Sequence, residues 1–210
     1  KEGFLMSRIG IIIGTTRDNS AGKVVGEWLY DLAQGRQDGV EYTLLDLKEF
    51  DVPLLTTDVI PATANKQYAD EKVQAWSDAV DACDGFVFVT PEYNRSVPGP
   101  FKNAFDCLAG EWTGKPVAFA GYGPAGAIRG VEAWRSVVVN FSMPQLRNQL
   151  DFGFFTDWAD GEFRHLSGSY TSPLTGRVVP LRVYATPEYI HQAAYALEVK
   201  EKILPVYERL

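Results

Sequence analysis

Groups that bind metals or act as nucleophiles are scarce in this chain. It has two cysteines, Cys83 and Cys107, and two histidines, His165 and His191, in 210 residues. No CxxC spacing occurs, and the histidines are too few and too scattered for a zinc or di-iron centre, so no metal ligands are assigned. The cysteines read as reduced structural residues of a cytoplasmic protein. No run of 18 apolar residues is present, which excludes a membrane-spanning helix from the expectations. Positive charge is also short: 20 Lys and Arg stand against 27 Asp and Glu, a net charge of −7. That balance argues against a nucleic-acid partner. Any phosphate must be held by a local site rather than by a basic surface.

What is present is an ordinary globular composition, 46% hydrophobic and 22% charged, which excludes a disordered class. Residues 1–5 read as an added remnant before Met6, and residues 6–210 as a single domain. Arg8 to Gly14 is an apolar run ending in glycine, and Val24, Val25, Trp28, Leu29 and Leu32 then recur at helical spacing. Val40 to Leu47 predicts a second strand, Ala69 to Cys83 a second helix and Phe86 to Val89 a third strand. Ser96 to Leu108 predicts a third helix, Pro116 to Gly121 a fourth strand and Ala127 to Phe141 a fourth helix. A fifth strand is expected within Gln145 to Phe155, and a final helix over Pro187 to Arg209. Between them lies an insertion, Asp157 to Thr186, with an extra strand near Val178–Val183. Strands of unbroken rather than alternating hydrophobicity are buried on both faces. The β-α alternation therefore predicts a doubly wound α/β fold with a mainly parallel sheet.

Ligands of such sheets sit beyond the carboxyl ends of the strands, which singles out three loops. The first, Gly14–Ser20, opens a helix whose free N–H groups suit a phosphate. Thr15, Thr16 and Ser20 add hydroxyls, and Arg17 adds a planar cation. The same loop also reads as a plain capped connection, with Asn19 or Ser20 as N-cap. It matches neither GxxxxGK[ST] nor GxGxxG, which counts against a P-loop NTPase and a two-half dinucleotide fold. In the second loop, Thr90–Gly99, Pro91 is expected to end the strand at Thr90. The amides of Glu92, Tyr93 and Asn94 would then lack sheet partners, and a flat heterocycle with alternating donors and acceptors could satisfy them. The third loop, Gly121–Gly126, carries the glycines that a close backbone approach needs.

Taken together these strings resemble the NAD(P)H-dependent FMN reductases. Gly14-Thr15-Thr16-Arg17 is followed by Pro91-Glu92-Tyr93-Asn94-Arg95-Ser96-Val97-Pro98-Gly99, by Lys102-Asn103-Ala104-Phe105-Asp106 and by Gly114-Lys115-Pro116-Val117. The family pattern is approximately GSxR, then PEYNxSxPGxLKNAxD, then a GKP-led strand. The similarity covers residues 8 to 155. Thr15 replaces the usual serine, Ala21-Gly22-Lys23 replaces a commoner Asn-bearing string, and Phe101 stands where leucine is usual.

The resemblance implies a flavodoxin-like sheet of order 2-1-3-4-5 with helices on both faces. It implies an FMN whose phosphate is held by Thr15, Thr16, Arg17 and Ser20. The ring would lie against Pro91, Glu92, Tyr93, Asn94 and Ser96, under a loop containing Gly121, Tyr122, Gly123 and Gly126. Hydride would pass from NAD(P)H through FMN to an acceptor such as a quinone, azo compound, metal oxyanion or free flavin. No catalytic side chain is required. Alternatives are a flavin reductase supplying a partner monooxygenase and a non-enzymatic, flavodoxin-like electron carrier. The flavodoxin TxTGxT loop is missing, which weighs against the last. Tyr93 and Tyr122 are candidates to wall the stacking face, though packing explains either equally. Arg129 is expected to face the pocket, a neighbouring subunit or solvent. A homodimer or homotetramer is implied, with Trp112, Trp134 and Trp158 as interface candidates.

Overall fold

Five parallel strands in the order β2-β1-β3-β4-β5 form the sheet in the computed structural model, the order the resemblance implies. The structure describes residues 7–154 and, beyond them, the backbones of 164–171 and 178–185. The strands are β1 (Arg8–Ile13), β2 (Glu41–Asp46), β3 (Gly85–Pro91), β4 (Val117–Gly123) and β5 (Leu150–Gly153). The helices are α1 (Ala21–Gln34), a short α2 (Leu47–Phe50), α3 (Glu71–Asp81), α4 (Gly99–Asp106) and α5 (Ile128–Val138). By chain contacts, Lys1–Gly153 and Phe154–Leu210 are two compact units. In the second, β6 (Arg164–Thr171) pairs antiparallel with β7 (Val178–Ala185), so the extra strand expected near Val178 exists and has a partner. Residues 1–6, Trp158, the segment expected to form a final helix and the rest of the insertion lie outside the described residues.

Capping chemistry sets the helix starts. The Ser20 hydroxyl accepts from Lys23 N at 3.3 Å at the head of α1. The Asp70 carboxylate accepts from Lys72 N and Val73 N at 2.9 and 3.1 Å, so α3 begins at Glu71 rather than Ala69. The third helix is shorter than the expected Ser96–Leu108: α4 starts at Gly99, because Tyr93–Ser96 is folded into a turn and Pro98 is its N-cap. Asn103 of α4 uses both ends of its amide on the segment after α2. It donates to Pro53 O and accepts from Leu55 N, at 2.8 and 2.9 Å.

The core on the α3–α4–α5 side of the sheet is aromatic. Phe88 lies 5.3 Å from Trp134 and 4.9 Å from Phe101 between ring centroids, and Phe105 stacks on Trp112 at 4.7 Å. Trp112 and Trp134 are fully buried, which removes both as interface candidates. Their indole N–H groups are satisfied internally, by Phe105 O and by the Thr90 hydroxyl. Phe101, at the position where the family pattern has leucine, is fully buried and packs against Trp134 at 4.6 Å. The buried Glu111 carboxylate accepts from the Tyr68 and Ser77 hydroxyls and from Ala109 N, at 2.8, 2.7 and 3.0 Å. A polar group so deep in the fold needs such partners.

Candidate functional site

The three loops singled out in the sequence leave the carboxyl ends of β1, β3 and β4, which are neighbours in the sheet. They therefore lie side by side at one end of the molecule, and hydroxyl groups connect them. Thr15 is buried; its Oγ1 lies 3.0 Å from the Tyr93 hydroxyl and accepts from Arg17 N at 3.3 Å. The Tyr122 hydroxyl faces Thr15 and the amide of Gly22. Burial, first of all, holds the Tyr122 phenol well above its usual range, so it stays protonated at any working pH.

That arrangement explains Gly22. A Cβ there would fall 2.3 Å from the Tyr122 hydroxyl, so the tyrosine beneath the loop leaves no room for a side chain at this position. The Tyr122 ring is itself buried under the first loop.

Around the first loop, Thr16, Arg17, Asp18 and Asn19 are exposed and Ser20 is half-buried. The Arg17 guanidinium makes no ion pair or hydrogen bond among the described residues. It borders a cleft of about 630 Å³ in which Thr15, Ser20, Lys23 and Lys48 stand together with the carboxylates of Asp18, Glu27, Asp46 and Glu49. Lys48 pairs with Asp18 across this cleft and holds the Asp18 carboxyl below its usual range through that hydrogen bond.

The second loop differs from its expectation in two ways. Strand β3 continues one residue further, and Pro91 pairs with Tyr122 in β4. Proline lacks only the donor, so a strand can end on it. Beyond it, Tyr93 N donates to Ser96 O and Ser96 N to Tyr93 O, both at 3.1 Å. Asn94 and Arg95 both have positive φ, 51° and 68°, the pattern of a type I′ turn. The Tyr93 amide is therefore committed to this turn and is not available to a heterocycle.

In the third loop, Gly121 is needed by the loop itself: a Cβ there would stand 2.3 Å from Gly126 O. Gly126 has a φ of 62°. The loop folds back over the end of β4 and delivers the chain to α5.

Arg129, in the first turn of α5, faces the second loop. Its guanidinium pairs with Glu92 at 2.6 Å, while Arg129 N and Gly130 N donate to the same carboxylate at 3.0 and 3.3 Å. Sequence reasoning missed this contact, although a signal existed. The helix is preceded by Gly-Ala, with no Ser, Thr, Asp or Asn to cap it.

A sequence profile of the NADPH-dependent FMN reductase family matches residues 7–157. The chain belongs to that family. An NAD(P)H-dependent FMN reductase of Nectria sp is 38% identical over 127 residues, covering 59% of this chain and 63% of the relative. A quinone reductase of Pseudomonas putida is 32% identical over 144 residues, covering 65% and 72%. Among solved structures, the flavoenzyme NAD(P)H:(acceptor) oxidoreductase of Paracoccus denitrificans superposes with a TM-score of 0.56 at 26% identity, covering 69% of this chain and 78% of that one. The chain spans less than two thirds of the Nectria relative's length.

Among the described residues no helix is long and apolar enough to cross a membrane. Cys83 and Cys107 are both free and buried. Burial pushes each thiol up to about 11, so neither is a thiolate nucleophile at neutral pH.

Proposed function

We propose that this chain is an FMN-dependent NAD(P)H oxidoreductase that passes reducing equivalents to a small acceptor: a quinone, an azo compound, a metal oxyanion or free flavin. The observation that carries the reading is the Arg17 guanidinium, which has no ion pair or hydrogen bond among the described residues and borders a cleft shared with the Thr15 and Ser20 hydroxyls, in the loop that Thr15 joins to Tyr93 of the second loop. A permanently charged fork, the Thr15, Thr16 and Ser20 hydroxyls and the start of α1 suit a phosphate monoester. Pro91, Glu92, Asn94 and Ser96 would line one side of the ring, chiefly through backbone, with Tyr93 held in place by Thr15. Gly121, Gly123 and Gly126 would let the third loop approach, with Tyr122 supporting the first loop from below. FMN, when bound, supplies the redox chemistry; the protein binds it, orients it and sets its surroundings. No acid or base is required of a side chain.

Purified with FMN, the protein is expected to oxidise NADPH when a benzoquinone is added and to produce the quinol in equal amount. No NADPH oxidation with any acceptor would sink the proposal. Turnover that needs added free FMN and releases reduced flavin would instead favour a flavin reductase serving a monooxygenase.

The same proposal includes a homo-oligomer in the cytoplasm. Leu54, Val59 and Ile60 stand exposed on the segment after α2; Leu54 and Val59 line an apolar groove of about 320 Å³, and Ile60 sits between two of its lining residues, Val59 and Pro61. An exposed apolar patch of this kind supports an interface between copies. Light scattering should give a dimer or tetramer, and the double variant Leu54→Asp, Ile60→Asp should shift it toward monomer. A monomeric wild type at micromolar concentration would refute this part.

A further inference from the structure

Glu92 lies in the second loop, the one assigned to the ring, yet its carboxylate is spent elsewhere. The side chain is only 10% exposed. One oxygen, Oε2, accepts from Arg129 N at 3.0 Å and Gly130 N at 3.3 Å. The other, Oε1, accepts from Arg129 Nε at 2.8 Å and pairs with Nη2 at 2.6 Å.

These are the first-turn amides of α5, which have no intrahelical acceptor. The residue in the N-cap position, Ala127, has a φ of 56° and no side chain to cap them. A carboxylate at this place satisfies two orphan donors and also opposes the positive end of the helix dipole. The approach is close. A Cβ at Gly130 would meet Glu92 Cα, Glu92 Cβ and Pro91 O, each at 3.3 Å. The second loop therefore lies directly on the helix that the third loop delivers.

We propose that Glu92 is a positioning residue: it braces the second loop against the start of α5, so that the second and third loops hold the cofactor as one unit. This rests on the FMN reading given above, but the brace is built from protein groups alone and can be measured without a ligand. Glu92 then contributes to flavin binding through Arg129 and the helix amides, and its carboxylate does not touch the ligand. Three observations single out this residue in its loop. Its side chain is held at four donor atoms, it reaches across to a different element, and the helix it reaches has no cap of its own.

The test uses the full chain in two measurements. In ligand-free protein, amide hydrogen exchange is read at Arg129 and Gly130. Glu92→Ala should lose protection at both amides, whereas Glu92→Gln keeps an oxygen that can accept and should retain most of it. In the second measurement, FMN and riboflavin affinities are read by quenching of flavin fluorescence. Glu92→Ala should weaken both ligands equally, by about tenfold or more, the equivalent of one lost charge-assisted hydrogen bond. Glu92→Gln and Arg129→Met should each fall between it and the wild type.

Unchanged exchange at both amides in Glu92→Ala would overturn the brace. Lost protection with wild-type affinity for both flavins would overturn the positioning role, leaving a local helix cap. Equal loss of affinity in Glu92→Ala and Glu92→Gln, with protection kept in the latter, would also overturn it, because the carboxylate would then act on the ligand directly. Failure of the wild type to bind FMN would sink the proposed function, while the exchange measurement would still decide the brace.

Discussion

Trp134→Ala is expected to lower the unfolding free energy by about 3–5 kcal/mol, the usual cost of deleting a large aromatic from a closed core. The residue is fully buried, and its ring contacts Phe88, Phe101 and Phe105 at centroid distances of 5.3, 4.6 and 5.5 Å. Its indole N–H also donates to the Thr90 hydroxyl at 3.0 Å. Thr90 stands just before Pro91, the last residue of strand β3, so this bond seats α5 on the strand that carries the second loop. Domains of this size are stable by about 5–15 kcal/mol, so the variant should retain little margin. Urea unfolding followed by fluorescence of the remaining tryptophans reads the change. Trp134→Phe keeps most of the apolar volume and loses the hydrogen bond, and should cost less than Trp134→Ala. A loss under about 1 kcal/mol in Trp134→Ala would mean that the neighbouring rings collapse into the space, against the close packing described above.

Arg17→Ala is expected to weaken FMN binding by about 10–100-fold, the range for a charge-assisted contact to a phosphate. The guanidinium has no competing partner among the described residues, and the cleft beside it also carries Ser20 and Lys23. Its removal should therefore leave the fold and its melting temperature unchanged. Riboflavin, which lacks the phosphate, supplies the control, and its affinity should not move. Titration by flavin fluorescence quenching measures both. If FMN affinity is the same in Arg17→Ala as in the wild type, the phosphate assignment of the first loop is wrong. If riboflavin weakens as much as FMN, the arginine acts on the ring or on the fold.

Much of the architecture was legible in the order of residues. Unbroken apolar runs at Ile9–Ile13, Phe86–Val89 and Val117–Ala120 could only be strands covered on both faces, and the helical stripes between them required crossovers. The three loops were legible for the same reason, since strand ends in such a sheet fix where a ligand can lie. Less was legible inside the loops. Nothing in Tyr93-Asn94-Arg95-Ser96 by itself announces a two-residue turn with positive φ, because Arg is not a usual residue for that conformation. The reach of Pro91 into the sheet was also hidden, since it depends on Tyr122 standing opposite.

Tryptophans gave the largest divergence. A sequence rich in aromatics is compatible with buried interfaces or with a buried core, and only the packing around Phe88 decides for the core at Trp112 and Trp134. Their N–H groups find partners 7 and 44 residues away, separations that no local pattern reports.

The sequence by itself therefore determined the parallel sheet and, through family resemblance, its strand order, and it singled out the first loop as the candidate place for a phosphate. Periodicity, capping residues and short motifs are local properties, and these features depend on them. Tertiary structure alone decided what the side chains of the PEYN string do. Glu92 turns to α5 and Arg129, Tyr93 turns to Thr15, and Pro91 joins the sheet. Each choice is a contact between strand ends that lie far apart in the chain and adjacent in the fold, and burial there obliges every polar group to find its partner across the gap.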